Sequence, residues 1–362
     1  MKKVLFIVTN LDSGGIENYL LRFLQHYNGK LLPTVLCKSG EKGVLENEYN
    51  RIHNIKLVPF KIGYYDIKSL FSFKQYLKNE KFDTIVDFGG NFAGLTLLVS
   101  NTVPIKNRVA FYRGATNHFN ENYFKLLYNK FINRLVYKYA THILSNSNAA
   151  LNFFFKDKHE NDSRFNVIYN GINAIHFLNS DEDLRDELQI PDNTFVISHI
   201  GRYTKEKNHD AIVKAAIELC RRHENIYFLI CGKDVDIKLK DIIKDNNPNN
   251  RIKLLGFRRD IIKILNTSNA FYFPSYTEGQ PNALLEALLA GLPFVASDIE
   301  PIKETIPEEY HQYLVPPDRV DLAVDKLEKL YFLNTGKNNE LSLWTKEKYN
   351  PDILFEKFYN TL

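Results

Sequence analysis

The sequence predicts an α/β protein built from two doubly wound parallel sheets, and three observations predict it. Short, continuously apolar runs of strand length alternate with helix-period patterns, beginning at Val4 to Val8, as in strands covered by helices on both faces. The rhythm pauses after the turn signal Asn170-Gly171-Ile172 and restarts at Phe195 to Ile200. At 362 residues the chain is long enough for two domains of ordinary size, each with its own core.

In chain order, Val4 to Val8 leads through the turn Asn10 to Gly15 into helical spacing at Ile16, Leu20, Phe23 and Leu24. Gly14-Gly15 reads as a tight βα turn that would let a phosphate or sugar approach the backbone. It lacks the G-x-G-x-x-G of a dinucleotide site, which argues against a nicotinamide enzyme. Thr34 to Cys37, Lys56 to Phe60, Thr84 to Phe88 and Arg108 to Tyr112 continue the strands, with a helix expected from Ile67 to Asn79. Arg113 and His118 follow the last of these, where open α/β sheets place ligands; a solvated surface loop is the alternative. From Asn120 to Tyr139, Phe124, Leu127, Tyr128, Phe131, Leu135 and Tyr139 line one helical side. Lys125, Lys130, Arg134 and Lys138 lie mostly around the other. This is expected to be a core-packing helix with a solvated basic face, weak contact with an anionic membrane being the second reading. Thr141 to Ser147 and Phe165 to Tyr169 close the half.

In the second half, Phe195 to Ile200 exits at Gly201, and a helix is expected from Ala211 to Arg222. Arg202 and Lys207 are two cations beside a strand end and a helix start. Such a pair suits a diphosphate leaving group, although cation-pair loops are common on surfaces. Tyr227 to Cys231 is the next strand. Asp234-Val235-Asp236 resembles a metal-binding D-x-D, but no further ligand cluster accompanies it, so it reads as the start of a surface helix. Ile252 to Leu255 exits through Gly256-Phe257-Arg258.

The densest signal runs from Phe271 to Asp298, FYFPSYTEGQPNALLEALLAGLPFVASD. The strand Ala270 to Phe273 is closed by Pro274, and a polar loop covers Ser275 to Gln280. Pro281 is expected at the first helical position, where its missing N–H costs nothing. Asn282 to Ala290 is apolar almost all round, which predicts a buried helix. Gly291 stops it, Pro293 prevents continuation, and Phe294 to Ala296 is the next strand. A carboxylate inside such a helix, Glu286, is costly unless hydrogen-bonded. A second acid, Glu278, stands eight positions earlier, and the helix start between them offers unpaired N–H groups and a positive dipole end. Two accepting carboxylates around an anion seat suit a molecule with hydroxyls at both ends and phosphates in the middle, as in a nucleotide sugar. The alternative pairs Glu286 with a buried arginine and leaves Glu278 solvated. Leu314 to Pro317, a helix from Val320 to Leu333 and a helical tail from Pro351 complete the chain.

Glu278 and Glu286 form E-x7-E within P-S-x-x-E-G-x-P-x-x-x-x-E-A-x-x-x-G-x-P. This resembles the signature of the retaining GT-B glycosyltransferases of family 4, the glycosyltransferase group 1 set, and the resemblance covers nearly the whole chain. It implies two Rossmann-like domains facing a deep interdomain cleft. Residues 1–171 would be the acceptor-binding domain, with a C-terminal helix at 345–362 packing back on it, and 172–344 would be the nucleotide-sugar domain. Gly14, Gly15 and Glu17 match the family's G-G-x-E, which lies against the donor phosphates and the acceptor. Arg113 stands roughly where many members carry a histidine that contacts the donor sugar, and His118 lies five residues on. Arg202 and Lys207, next to Gly201, match the family's diphosphate cations. Glu286 would hold the ribose hydroxyls, with loop amides of Gly279, Gln280, Pro281 and Asn282 around it, and Phe257-Arg258 would lie beside the base. Glu278 would accept hydrogen bonds from the transferred sugar.

The resemblance further implies transfer from a nucleotide sugar, UDP-linked by expectation, with retention and without an essential metal or other cofactor. The acceptor would be a soluble or lipid-linked saccharide of bacterial capsule, O-antigen or exopolysaccharide assembly. A catalytically silent nucleotide-sugar-binding or scaffold subunit is the alternative. Charge is unevenly shared: residues 1–175 carry 23 Lys and Arg against 13 Asp and Glu, the remainder 24 against 30. A basic first half fits an anionic acceptor or membrane surface. The acidic second half and the lack of a recognised module argue against nucleic acid. Cys37, Cys220 and Cys231 show no metal or redox spacing, and the apolar run at the start is too short for a signal peptide. A cytoplasmic protein, peripheral at the inner face of the plasma membrane, is expected.

Overall fold

The computed structural model describes residues 1–12, 14–63, 66–116, 122–156, 158–174 and 181–362. The described chain divides into two compact units, residues 1–171 with 351–362, and residues 172–350.

The first unit holds a seven-stranded, wholly parallel sheet in the order β3-β2-β1-β4-β5-β6-β7. Its strands are β1 Lys2–Val8, β2 Leu31–Cys37, β3 Lys56–Pro59, β4 Thr84–Asp87, β5 Asn107–Tyr112, β6 His142–Ser145 and β7 Phe165–Val167. Successive side chains of β1 point to opposite faces. Val4, Phe6 and Val8 therefore join one core and Leu5 and Ile7 another, and both are buried. Pro33 lies inside β2, at the level where β2 pairs with β1 but not yet with β3, whose register starts at Thr34↔Lys56. Its missing N–H falls on the open side, which is where a strand proline is tolerated.

The second unit holds six parallel strands ordered β10-β9-β8-β11-β12-β13. They are β8 Phe195–Ile200, β9 Ile226–Cys231, β10 Ile252–Gly256, β11 Ala270–Phe273, β12 Phe294–Ser297 and β13 Leu314–Val315. One face carries Ile197, Phe228 and Ile230 against the helices His209–Arg222 and Val320–Leu333.

Two expectations change. The 345–362 segment is not one returning helix: the helix Asn339–Lys348 belongs to the second unit, and only Pro351–Tyr359 and the residues after it belong to the first. Proline cannot extend the preceding helix, so the chain redirects there. Phe355, Phe358 and Leu362 complete the core around Tyr19 and Phe23. At the joint, a Cβ on Gly171 would sit 2.7 Å from Pro351 Cα, so the residue must be glycine.

The helix Tyr123–Tyr139 also differs. Ile132 and Val136 are its buried residues, whereas Phe124, Leu127 and Phe131 are exposed. The inward side carries asparagines instead: Asn133 accepts from Tyr112 Oη at 2.5 Å and donates to the Phe154 carbonyl at 3.2 Å. Among the described residues no helix is long and apolar enough to cross a membrane.

Candidate active site

In the second sheet the strand order reverses between β8 and β11, which lie side by side. Their onward connections leave toward opposite faces, and the crevice this opens is where doubly wound sheets hold ligands. The two loops there are the ones the sequence singles out.

The β8 loop is fixed by backbone contacts. Gly201 N–H donates to the Cys231 carbonyl at 2.9 Å and Tyr203 N–H to that of Lys233 at 3.0 Å, so the loop runs on beside the exit of β9. A Cβ on Gly232 would stand 1.9 Å from the Gly201 carbonyl oxygen; the two backbones touch, and only glycine fits. Asn208, in the left-handed region at φ 55°, ends the loop and caps the helix His209–Arg222. Its buried carboxamide donates to the carbonyls of Pro274 at 3.1 Å and Pro317 at 2.7 Å, tying three loops together. Tyr276 N–H donates to the Glu206 carbonyl at 2.8 Å.

These ties bring Lys207 and Glu278 into contact. Lys207 Nζ donates to Glu278 Oε1 at 2.5 Å and lies 4.8 Å above the centre of the Phe273 ring. The carboxylate is only 11% exposed and the lysine 23%, so the charges are screened far less than a surface pair. Arg202, on the same loop, is exposed and forms no ion pair among the described residues.

Pro281 is the N-cap and not the first helical residue. Its ψ of 93° is extended, and its carbonyl accepts the first intrahelical bond from Leu285 at 3.0 Å. Gly279 is half-buried and Gln280 buried. The helix Asn282–Leu289 buries Leu284, Leu285, Ala287, Leu288 and Leu289, while Asn282, Ala283 and Glu286 remain partly accessible. Glu286 is therefore not enclosed in a core. It shares one accessible face with Asn282, four residues apart, on the first turns of a helix that begins directly after the Glu278 loop.

Phe257 is exposed. The Arg258 guanidinium is engaged by Asp260, at 2.6 and 2.8 Å, and by Glu187, at 2.6 and 3.2 Å. These bonds hold its pKa above the ordinary value, so its side chain braces the loop and does not present a free cation. Asp236 packs against Gly256, whose Cβ would meet the Asp236 carboxyl carbon at 3.0 Å.

Beneath Gly201 the sequence reading missed a buried pair, His199 and His209, with ring centroids 5.3 Å apart. His199 Nδ1–H donates to the Tyr272 carbonyl at 3.0 Å. Burial pushes the His199 pKa well below its usual value and that of His209 down to about 4. Both imidazoles are neutral near pH 7 and act as packing under the loop.

In the first unit the order reverses between β1 and β4. Here a cavity of about 510 Å³ is lined by Thr9 and Ile16 after β1, Phe88 to Phe92 after β4, Tyr112 at the end of β5, and Arg113 and Gly114 after it. Gly14 caps the helix Gly15–His26; a Cβ on it would meet the Glu17 carboxylate at 2.4 Å. The Arg113 guanidinium lies 4.0 Å above the Tyr19 ring. Its Nε and Nη1 are buried without a hydrogen-bond partner among the described residues, and burial lowers its pKa to about 10. It remains a cation at the cavity wall. His118 lies outside the described residues. The Phe88-Gly89-Gly90-Asn91 turn was also missed. It is held by buried Asp87, which accepts from Lys38 Nζ at 2.8 Å and Gly89 N–H at 2.8 Å. A glycine pair directly after an apolar strand was the available signal.

Comparison with known proteins agrees with this architecture. A family model described as Glycosyltransferase Family 4 matches residues 13–175, and one described as Glycosyl transferases group 1 matches residues 180–342. An Escherichia coli UDP-Gal:alpha-D-GlcNAc-diphosphoundecaprenol alpha-1,3-galactosyltransferase is 27% identical over 72% of this chain and 70% of its own. The Staphylococcus aureus capsular polysaccharide biosynthesis glycosyltransferase CapH is 27% identical over 79% of each. The crystal structure of Anabaena HepE in complex with UDP-glucose superposes with a TM-score of 0.81, covering 100% of this chain and 99% of that one at 18% identity. With E-x7-E on the β11 loop, two Rossmann-like parallel sheets of the GT-B fold and both halves matched by family models, the chain belongs to the family 4, group 1 glycosyltransferases.

Proposed function

We propose that this chain transfers a sugar from a UDP-sugar to a hydroxyl of a glycan or lipid-linked saccharide during bacterial surface polysaccharide assembly. The Lys207–Glu278 contact at the β8/β11 crevice carries the reading: it sets a cation and a carboxylate side by side at the start of a helix. In this reading Lys207 and Arg202 neutralise the diphosphate as the sugar bond breaks, and the unpaired N–H groups at the helix start share that charge. Glu278 holds Lys207 in place and accepts hydrogen bonds from the sugar. Glu286, one turn on, takes the ribose hydroxyls. In the first unit, Gly14, Gly15 and Arg113 are assigned to the acceptor, with the 510 Å³ cavity as its seat.

The donor assignment is supported by the UDP-Gal enzyme and the HepE complex, and the acceptor assignment by relatives acting on diphosphoundecaprenol-linked sugars. Retention and metal independence belong to the proposal as well, with the leaving phosphate accepting the acceptor's proton. A thermal-shift panel of UDP-, GDP- and ADP-sugars tests it, because a ligand that binds only the native state raises apparent stability. A UDP-sugar is expected to give the largest shift, with an α-linked product from an α-linked donor and turnover surviving EDTA. Stabilisation by another nucleotide, or an inverted product, would overturn the corresponding part.

A further inference from the structure

A guanidinium is a fork of N–H donors, and the one on Arg113 is left without acceptors. Its Nε and Nη1 are sealed from water with no hydrogen-bond partner among the described residues. Burying such groups unpaired is costly, and folded proteins rarely leave them so. Packing explains where the side chain lies but not its charge: the guanidinium carbon sits 4.0 Å from the centre of the Tyr19 ring and 5.0 Å from that of Phe111. Glu17 is near enough to favour the charge, yet its carboxylate turns back onto the Gly14 turn, and Arg22 opposes it.

The same side chain forms part of the wall of the 510 Å³ cavity, a volume usual for a small-ligand site. Nη2 is the one guanidinium nitrogen that is not sealed, so a ligand in the cavity meets that edge. The lining repeats the bias in charge. Among the described residues it holds two cations, Arg113 and Lys125, and no carboxylate. Asp87, buried just below the Gly89-Gly90 turn, is already engaged by Lys38 Nζ, Gly89 N–H and Thr96 Oγ1. Amides, hydroxyls and rings make up much of the remaining wall, Asn91 and Tyr112 among them, and such a mixture suits a sugar.

We infer that the saccharide seated in this cavity carries a negative charge on its own ring, a carboxylate or a phosphate ester, and that Arg113 takes it by a charge-assisted hydrogen bond. This rests on the cavity being the acceptor's seat and narrows the acceptor to an acidic sugar. A neutral sugar would leave the guanidinium uncompensated, whereas an anion supplies the missing acceptor. Lys125, exposed on the helix Tyr123–Tyr139, adds a second and more solvated charge to the same wall.

Ligand-observed NMR titration of the full chain, with no nucleotide present, tests this on methyl glucuronide and methyl glucoside. The two differ only by a carboxylate in place of a hydroxymethyl group. Methyl glucoside 6-phosphate is the third probe and separates carboxylate from phosphate. At least one anionic probe should bind wild type roughly tenfold or more tighter than the glucoside. Arg113→Gln, which keeps polar length without charge, should remove that preference, and Arg113→Lys should keep part of it. Lys207→Ala should keep it whole, since Lys207 belongs to the proposed donor site in the other unit. The wild-type comparison decides the matter even if Arg113→Gln does not fold. Equal affinity for all three probes would overturn the inference, and the transfer reading would still stand if UDP-sugars stabilise the chain. A preference that survives in folded Arg113→Gln, or vanishes in folded Lys207→Ala, would place the anion elsewhere and overturn it too.

Discussion

Gly232→Ala is the smallest perturbation that reaches the β8 loop. The added methyl would stand 1.9 Å from the Gly201 carbonyl oxygen, 2.5 Å from its carbon and 3.1 Å from Arg202 N. All three are backbone atoms, so no side chain can swing aside. Ordinary contact begins near 3.4 Å, leaving a deficit of about 1.5 Å that must be met by moving the Gly201-Arg202 peptide or the exit of β9. Overpacking of this kind costs about 1–3 kcal/mol. For a unit of this size each kcal/mol lowers Tm by about 2–4 °C. The same displacement carries Arg202 and Lys207 away from the crevice, and a misplacement of about 1 Å at a reacting centre costs on the order of a hundredfold in rate. The assay pairs calorimetric melting with nucleotide release from a UDP-sugar. Gly336→Ala is the control: its φ of 71° makes the substitution strained, yet nothing lies within 4 Å of the new Cβ, so stability should fall while turnover holds. A Gly232→Ala protein with wild-type melting and turnover would refute the backbone contact and the argument built on it.

Asn208→Ala should lower stability by about 1–3 kcal/mol, because the carbonyls of Pro274 and Pro317 lose their donor. Asn208→Gly, which keeps the left-handed backbone, should recover only part of that loss, and equal melting of Asn208→Ala and wild type would contradict it. His209 has a folded pKa depressed from the ordinary 6.5 to about 4, so the unfolded chain binds the extra proton between those values. Stability from this group is complete above about pH 6.5 and is lost as pH falls toward 4, on the order of 3 kcal/mol. His209→Gln should flatten the melting profile across that window, and an unchanged slope would count against the buried neutral imidazole. Phe358→Ala should destabilise the first unit by about 3–5 kcal/mol, since the ring is fully buried 4.6 Å from Phe23 and 5.3 Å from Phe111. Urea unfolding followed by circular dichroism measures it, and a loss below 1 kcal/mol would argue that the tail does not complete the core.

Much of the fold was legible because the strands of a doubly wound sheet are apolar on both faces and announce themselves as continuous runs, AFYF and FVISHI among them. The loops of the crevice were legible for a different reason. Glycine, proline and isolated charges at strand ends are local features, and E-x7-E is compact. What escaped depended on partners distant in sequence. Arg258 was placed beside the base by resemblance, and its bond to Glu187, 71 positions away, has no signal in the local sequence. Asn208 was not singled out, because the carbonyls it bonds lie 66 and 109 positions on. Glu286 was read as enclosed because five of its seven helix companions are apolar leucines or alanines that do become buried; the accessible stripe joins only Asn282 and Glu286, four positions apart, with Ala283 beside them. On the helix Tyr123–Tyr139 the aromatic side offered more apolar area, but the side turned inward is the one with Ile132 and Val136, where Asn133 bonds Tyr112.

Titration calorimetry with UDP tests the central claim most directly, since it asks whether the diphosphate seats on the β8 loop beside Glu278. Charged hydrogen bonds of this kind contribute about 1.5–3 kcal/mol. Arg202→Ala and Lys207→Ala should therefore each weaken UDP by roughly tenfold to a hundredfold, while uridine, which has no phosphate, binds wild type and both variants alike. Equal UDP affinity in all three folded proteins would contradict the account.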